Sequence, residues 1–182
     1  MSERDFERVG GRTVYDGKII KVDVDTFRYA DGHEAEREIV RTSHAAAVVA
    51  VDDQHVWLVL QPREPVGDPD SLELPAGRLD KEGESPLESA KRELAEEIGK
   101  ASDRWAELTV YRSSVGFTDE TVHVFLAEDV HDAPGEHDSG EDERIEIVRW
   151  PLADLAGAID ATKDSKTKIG LLLLERRRRG SS

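Results

Sequence analysis

The stretch from Leu74 to Gly99 reads LPAGRLDKEGESPLESAKRELAEEIG. Pro75-Ala76-Gly77 predicts a loop, and a charged, glycine-containing segment runs from it to Ser85. A helix is expected from there. Ser85, Pro86 and Glu88 supply an N-cap, a proline at the first helical position and the N3 glutamate of a capping box. The serine hydroxyl and the glutamate carboxylate together satisfy N–H groups that a first helical turn leaves unbonded. Gly99 stands where a left-handed residue closes a helix.

Which face of this helix meets the core follows from its period. At about 100° per residue, Leu87, Leu94 and Ile98 share one narrow apolar stripe, while Glu93, Glu96 and Glu97 gather on the far side in an arc roughly 100° wide. Carboxylates at i, i+3 and i+4 repel one another, so something should offset the crowding. A divalent cation would: hard oxygen donors suit Mg²⁺, or Mn²⁺ in its place, with waters and a substrate phosphate completing the shell. The same spacing also describes a solvated acidic face, which is what most charge runs are. The carboxylates alone leave both readings open.

The stretch resembles the Nudix box, G-x5-E-x7-R-E-U-x-E-E-x-G-U with U apolar. Gly77, Glu84, Arg92, Glu93, Leu94, Glu96, Glu97 and Gly99 stand in its fixed positions. There are two departures: six residues separate Gly77 from Glu84, and Lys100 takes the last apolar position. The extra residue falls in the segment before the helix, where insertion costs little. From Glu84 to Gly99 the spacing is intact.

The chain has 182 residues and a formal net charge of −15. The length suits one main domain with a small N-terminal addition. The charge argues against nucleic acid or an anionic membrane as the main partner, but not against a phosphorylated substrate, because bound metal ions reverse the local sign. The absence of cysteine removes disulfides, thiol nucleophiles and cysteine metal sites. No run approaches the roughly 20 apolar residues of a membrane span, and MSERDFERVGGR lacks a signal-peptide core. A soluble, cytoplasmic protein is expected.

Outward from the box, residues 1–11 read as a flexible lead-in. From Arg12 to Val40 the pattern is an antiparallel meander, with turn signals at Asp16-Gly17 and Ala30–His33. AAAVVAV at Ala45–Val51 predicts a buried strand, and Val56–Leu60 returns beside it. Gln61–Ser71 reads as a polar loop, and Leu72-Glu73-Leu74 as a short strand into the box. Further strands are expected at Trp105–Tyr111, Thr121–Ala127 and Ile145–Trp150, with an acidic loop at His131–Asp142. Helices are expected at Pro151–Ile159 and Asp164–Arg178, the second with Ile169, Leu172 and Leu173 as its apolar side. This order fits an α/β/α sandwich with a mixed sheet, preceded by a small antiparallel sheet. The Nudix fold is such a sandwich. The expected division is residues 1–42 for the N-terminal strands and 43–182 for the hydrolase domain.

The resemblance extends over residues 12–175 and is to ADP-ribose pyrophosphatases. It is carried by Glu36–Val40, His44-Ala45-Ala46, Gln61-Pro62-Arg63, Ser114–Glu120 and Asp164–Thr167. It implies hydrolysis of ADP-ribose, or a related ADP-sugar, to AMP and ribose 5-phosphate, in a homodimer that exchanges its N-terminal strands. It places Arg37 and Arg63 on the substrate's phosphates or ribose, and Glu73 and Glu120 at the ribose side or its water network. Glu93 and Glu97 would hold the metal, with Glu96 next and the Ala76 carbonyl adding one more donor. Arg92 would orient a box carboxylate. A glutamate on a later loop is the family's base: here Glu141 is read as base and Glu143 as a metal contact of the closing loop. Val115 stands where the family often has proline, which bears on the choice among ADP-sugars. The alternatives are a Nudix hydrolase of dinucleotide cofactors or other nucleotide sugars, and a non-catalytic ADP-ribose-binding module.

Overall fold

The computed structural model of the chain describes residues 2, 4–134 and 144–180. They form two compact units. The first takes in the chain to His44 together with Arg112–Thr121. Its strands β1 (Phe6–Asp16), β2 (Ile20–Tyr29) and β3 (Glu34–Thr42) make an antiparallel sheet in the order β1-β2-β3. The first strand begins at Phe6, within the segment read as a lead-in. The Phe6 ring meets those of Phe27 and Tyr29 edge-on, at 5.5 and 6.2 Å. Arg8 reaches Asp25 at 2.8 Å. Gly10-Gly11, which hides the strand in the sequence, is needed there: a Cβ on Gly11 would lie 2.1 Å from Asp25 Oδ1. Asp25 is fully buried and also pairs with Arg41 at 2.9 Å. Arg41 reaches on to Asp119 at 3.2 Å, and the Val40 N–H donates to the Phe117 carbonyl at 2.7 Å. These contacts bind the 112–121 segment to the small sheet.

The second unit holds β4 (Ala45–Val51), β5 (His55–Arg63), β6 (Asp68–Glu73), β7 (Ala76–Arg78), α1 (Pro86–Ile98), β8 (Lys100–Ala101), β9 (Arg104–Arg112), β10 (Thr121–Glu128), β11 (His131–Asp132), β12 (Glu146–Pro151), α2 (Leu155–Ala161) and α3 (Ser165–Gly180), except that the end residues Arg112 of β9 and Thr121 of β10 fall in the first unit. Its main sheet runs β12-β5-β4-β10-β9, with β6 beside β5 and β7 beside β4. The β4–β10 pairing is parallel and the β4–β5 pairing antiparallel, so the sheet is mixed. Alternation along β4 divides the core. Ala46, Val48 and Ala50 pack toward Ala90, Leu94 and Ile98 of α1. Ala47, Val49 and Val51 pack toward Leu155, Ala158, Leu171 and Leu174 of α2 and α3. Helices thus cover both faces, as an α/β/α sandwich requires, and each fully buried leucine contributes about 1.5–3 kcal/mol of transfer free energy.

Three local readings change. Ala76–Arg78, read as loop, is a short strand whose residues pair with Ala45–Ala47. The polar loop is shorter than expected, because β5 runs to Arg63 and β6 resumes at Asp68, with Gly67 left-handed between them at φ 64°. On α3 the buried side is Thr167, Gly170, Leu171 and Leu174, while Leu172 is 47 % exposed. Four consecutive leucines carry no facing information. The face is set by Gly170, where a Cβ would lie 2.7 Å from Leu74 Cδ1 and 2.8 Å from Val49 Cγ2.

Candidate active site

Helix α1 starts as its sequence dictates. Ser85 accepts from the Glu88 N–H at 3.3 Å, and Glu88 accepts from the Ser85 N–H at 2.8 Å. It ends at Gly99, left-handed at φ 64°. The inserted residue before it is absorbed in a turn: the Glu84 N–H donates to the Lys81 carbonyl at 3.2 Å, with Gly83 at φ 80°. Glu84 therefore still faces Arg92. The Arg92 guanidinium forks onto it, Nε to Oε1 at 3.0 Å and Nη2 to Oε2 at 3.1 Å. Its Nη1 donates to Glu93 at 2.6 Å and to Glu96 at 2.9 Å. One cation thus neutralises the crowding of these acidic side chains. The exchange is visible in both partners: the Glu84 bond raises the Arg92 pKa above its ordinary value, and the Arg92 bond lowers that of Glu84.

Glu97 departs from the far-side placement expected of it. It lies about 60° around the helix from Leu94, near enough to turn inward. Only 9 % exposed, it accepts from the Ala76 N–H at 3.0 Å. Glu93 meets the next residue of the same strand, where the missing side chain of Gly77 makes its space: a Cβ there would fall 1.9 Å from the Glu93 carboxyl carbon. Two carboxylates one helical turn apart are thus seated against the backbone of consecutive residues. Glu96 remains half exposed.

Among the described residues no three metal-ligating side chains form a ready cage. The donor chemistry nevertheless fits a hard divalent cation. Glu93 and Glu97 are oxygen donors at i and i+4, positioned against β7 before any ion arrives, and Glu96 is beside them through Arg92.

At the end of β6, Glu73 is 2 % exposed. Burial alone would push its pKa up. The Arg63 fork, at 2.7 and 2.7 Å, and Lys166 Nζ, at 2.5 Å, outweigh that and hold it down to about 2. Arg63, expected at the substrate's phosphates or ribose, is paired with Glu73 in this structure. It lines a cleft of about 790 Å³ with Glu73, Lys166 and Ser71.

In the N-terminal unit, Arg37 donates to the Glu36 carbonyl at 2.8 Å and to the Tyr29 hydroxyl at 3.0 Å. It borders a cleft of about 330 Å³ that Phe27, Val115 and Phe117 also line. Glu120 closes the loop there, its carbonyl accepting from the Ser113 N–H at 3.3 Å. Glu141 and Glu143 lie outside the described residues. Lys166 was missed as a charged partner. The stretch Asp164–Thr167 stood out in the sequence, but a pair spanning 93 positions leaves no local trace.

A family model described as the NUDIX domain matches residues 41–174. An ADP-ribose pyrophosphatase of Bacillus subtilis is 33% identical over 178 residues, 96% of this chain and 95% of that protein. A methanol dehydrogenase activator of Bacillus methanolicus is 32% identical over 165 residues, 89% of this chain and 88% of that protein. An ADP-ribose pyrophosphatase of Mycobacterium tuberculosis is 36% identical over 158 residues, 86% of this chain and 75% of that protein. A solved ADP compounds hydrolase superposes with a TM-score of 0.87 at 22% identity, over 100% of this chain and 98% of that one, which shows a common fold. Nudix hydrolases generally need a divalent metal. With its box helix in place and a family model spanning most of its length, the chain belongs to the NUDIX family.

Proposed function

We propose that the protein hydrolyses the pyrophosphate of ADP-ribose, or of a related ADP-sugar, to AMP and ribose 5-phosphate, in the cytoplasm and with Mg²⁺. The observation that carries the reading is the pair of carboxylates, Glu97 seated on the Ala76 N–H and Glu93 against Gly77, with Glu93 balanced by Arg92. The ADP-ribose pyrophosphatases among its relatives supply the substrate class.

Glu93 and Glu97 are the residues assigned to the metal, with Glu96 and the Ala76 carbonyl beside them. The ion supplies neutralisation of the phosphate charge and acidification of the attacking water. Arg92 orients Glu93 and Glu96, a task suited to a planar guanidinium with several donors. Gly77 keeps the floor clear for Glu93. Arg37 and Arg63 are assigned to the phosphates or ribose, with Glu73 acting through Arg63 and Glu120 at the ribose side. The proton of the attacking water is assigned to Glu141, and a metal contact to Glu143, on the family resemblance. The assembly we propose is a homodimer that exchanges its N-terminal strands. Phe6, Val14, Tyr15 and Ile19 are exposed on the β1–β2 hairpin and offer apolar surface for a second copy to cover.

The test is a panel of ADP-ribose, other ADP-sugars, dinucleotides and nucleoside triphosphates with Mg²⁺, scored by chromatography of products. ADP-sugars should lead, with AMP and ribose 5-phosphate appearing together from ADP-ribose. A preference for triphosphates would overturn the assignment.

A further inference from the structure

The Glu73 carboxylate has two cationic partners where one would neutralise it. They differ in exposure. The Arg63 side chain is 42 % exposed, whereas that of Lys166 is 16 % exposed and is braced by Asp164 at 3.1 Å. Asp164 is itself fixed, accepting from both the N–H and the hydroxyl of Thr167, at 2.9 and 2.5 Å. Thr167 Oγ1 in turn accepts from the buried Leu74 N–H at 2.8 Å. Lys166 is therefore locked to the frame that leads into the box. Arg63 stands at the open side of the 790 Å³ cleft and feels the negative charge of Glu97. A buried carboxylate stranded without a cation is strongly destabilising. If Glu73 had Arg63 alone, the arginine could not leave it for a substrate phosphate.

We propose that Lys166 is a positioning residue: it stays on Glu73 as the permanent counter-charge, so that Arg63 can exchange the Glu73 carboxylate for the substrate's pyrophosphate. The proposal rests on the assignment of Arg63 to substrate phosphate. Arg63 is parked in its ion pair in the free protein, pre-aligned on the cleft. Lys166 makes its release cheap.

The experiment compares Lys166→Met, Lys166→Arg and the double variant Lys166→Met/Glu73→Gln, each first checked for folding by thermal melting. The probes are ADP-ribose kinetics with Mg²⁺ and calorimetric titration with inorganic pyrophosphate. Losing the release of one charge-assisted bond predicts that Lys166→Met raises KM and weakens pyrophosphate about tenfold or more, with kcat changed little. Lys166→Arg keeps the counter-charge and should restore both. The double variant should also recover pyrophosphate affinity, because no buried carboxylate remains to be stranded. In an Arg63→Ala/Glu73→Gln background, where no carboxylate is left stranded, Lys166→Met should have no further effect on either quantity.

A merely structural lysine predicts otherwise, with the double variant no better than the single one, kcat falling with KM, and the loss persisting in the Arg63→Ala/Glu73→Gln background. Any of these overturns the proposal, as does an Arg63→Ala variant with unchanged pyrophosphate affinity. Failure of the wild type to cleave ADP-ribose would overturn the functional assignment instead. The pyrophosphate titrations would still decide the role of Lys166.

Discussion

Gly77→Ala separates what the fold needs from what the site needs. Gly77 is not one of the left-handed glycines, so alanine meets no backbone strain there. The obstacle is the Glu93 carboxylate, whose carbon would lie 1.9 Å and whose oxygens 2.0 and 2.3 Å from the new methyl. Carbon atoms rest at about 3.5 Å, so the carboxylate must retreat by roughly 1.5 Å. A carboxylate at the end of a flexible side chain can do this. It then gives up its 2.6 Å bond to Arg92, a charge-assisted contact worth about 1.5–3 kcal/mol. Reduced entropy of the unfolded chain returns about 0.4–1 kcal/mol. Arg92 keeps Glu84 and Glu96. The net loss of stability is about 1–2 kcal/mol, a few degrees in Tm for a chain of this size. The loss of activity is larger, because a displacement of about 1 Å at a reacting centre costs roughly a hundredfold. The assay pairs thermal melting with kcat for ADP-ribose at saturating Mg²⁺. A variant that melts within several degrees of wild type and has lost about a hundredfold in kcat fits the reasoning. One that keeps kcat within threefold, or that fails to fold, refutes it.

Other perturbations address the rest of the structure. Gly170→Ala places a methyl between Leu74 and Val49, both in the packed core rather than at a flexible tip, so overpacking should cost about 1–3 kcal/mol, read as a lowered Tm. Glu73 has a folded pKa of about 2 against an ordinary 4.5, so its contribution to stability is fully present above pH 4.5 and lost as pH falls toward 2. Denaturant titrations should show wild type losing about 2 kcal/mol more than Glu73→Gln across that window, after discounting for the open side of the cleft.

Much of this architecture was legible because its signals are local. The capping box, the terminal glycine of α1 and the continuous apolar run of β4 each specify their element within a few residues. The box spacing located Arg92 and its acidic neighbours together. What escaped was set by partners far away in the chain. The start of β1 depends on Phe27 and Asp25, not on anything near Phe6. The face of α3 depends on Leu74 fitting against Gly170. Helical period alone put Glu97 with its acidic neighbours, but the Ala76 N–H draws it inward. Arg63 reads as an exposed loop arginine until β5 runs on to it and its guanidinium reaches back to Glu73, which the register sets opposite Val59.

The most direct measurement is the initial rate of AMP formation from ADP-ribose across a Mg²⁺ titration, for wild type and Glu97→Gln side by side. Wild type should depend on Mg²⁺ and fall silent with chelator. The variant, melting near wild type, should be slower by about a hundredfold or more, the several kcal/mol that a misplaced cation forfeits. Equal rates in the two proteins, or hydrolysis that persists in chelator, would contradict the assignment of these carboxylates to a metal acting on a phosphoanhydride.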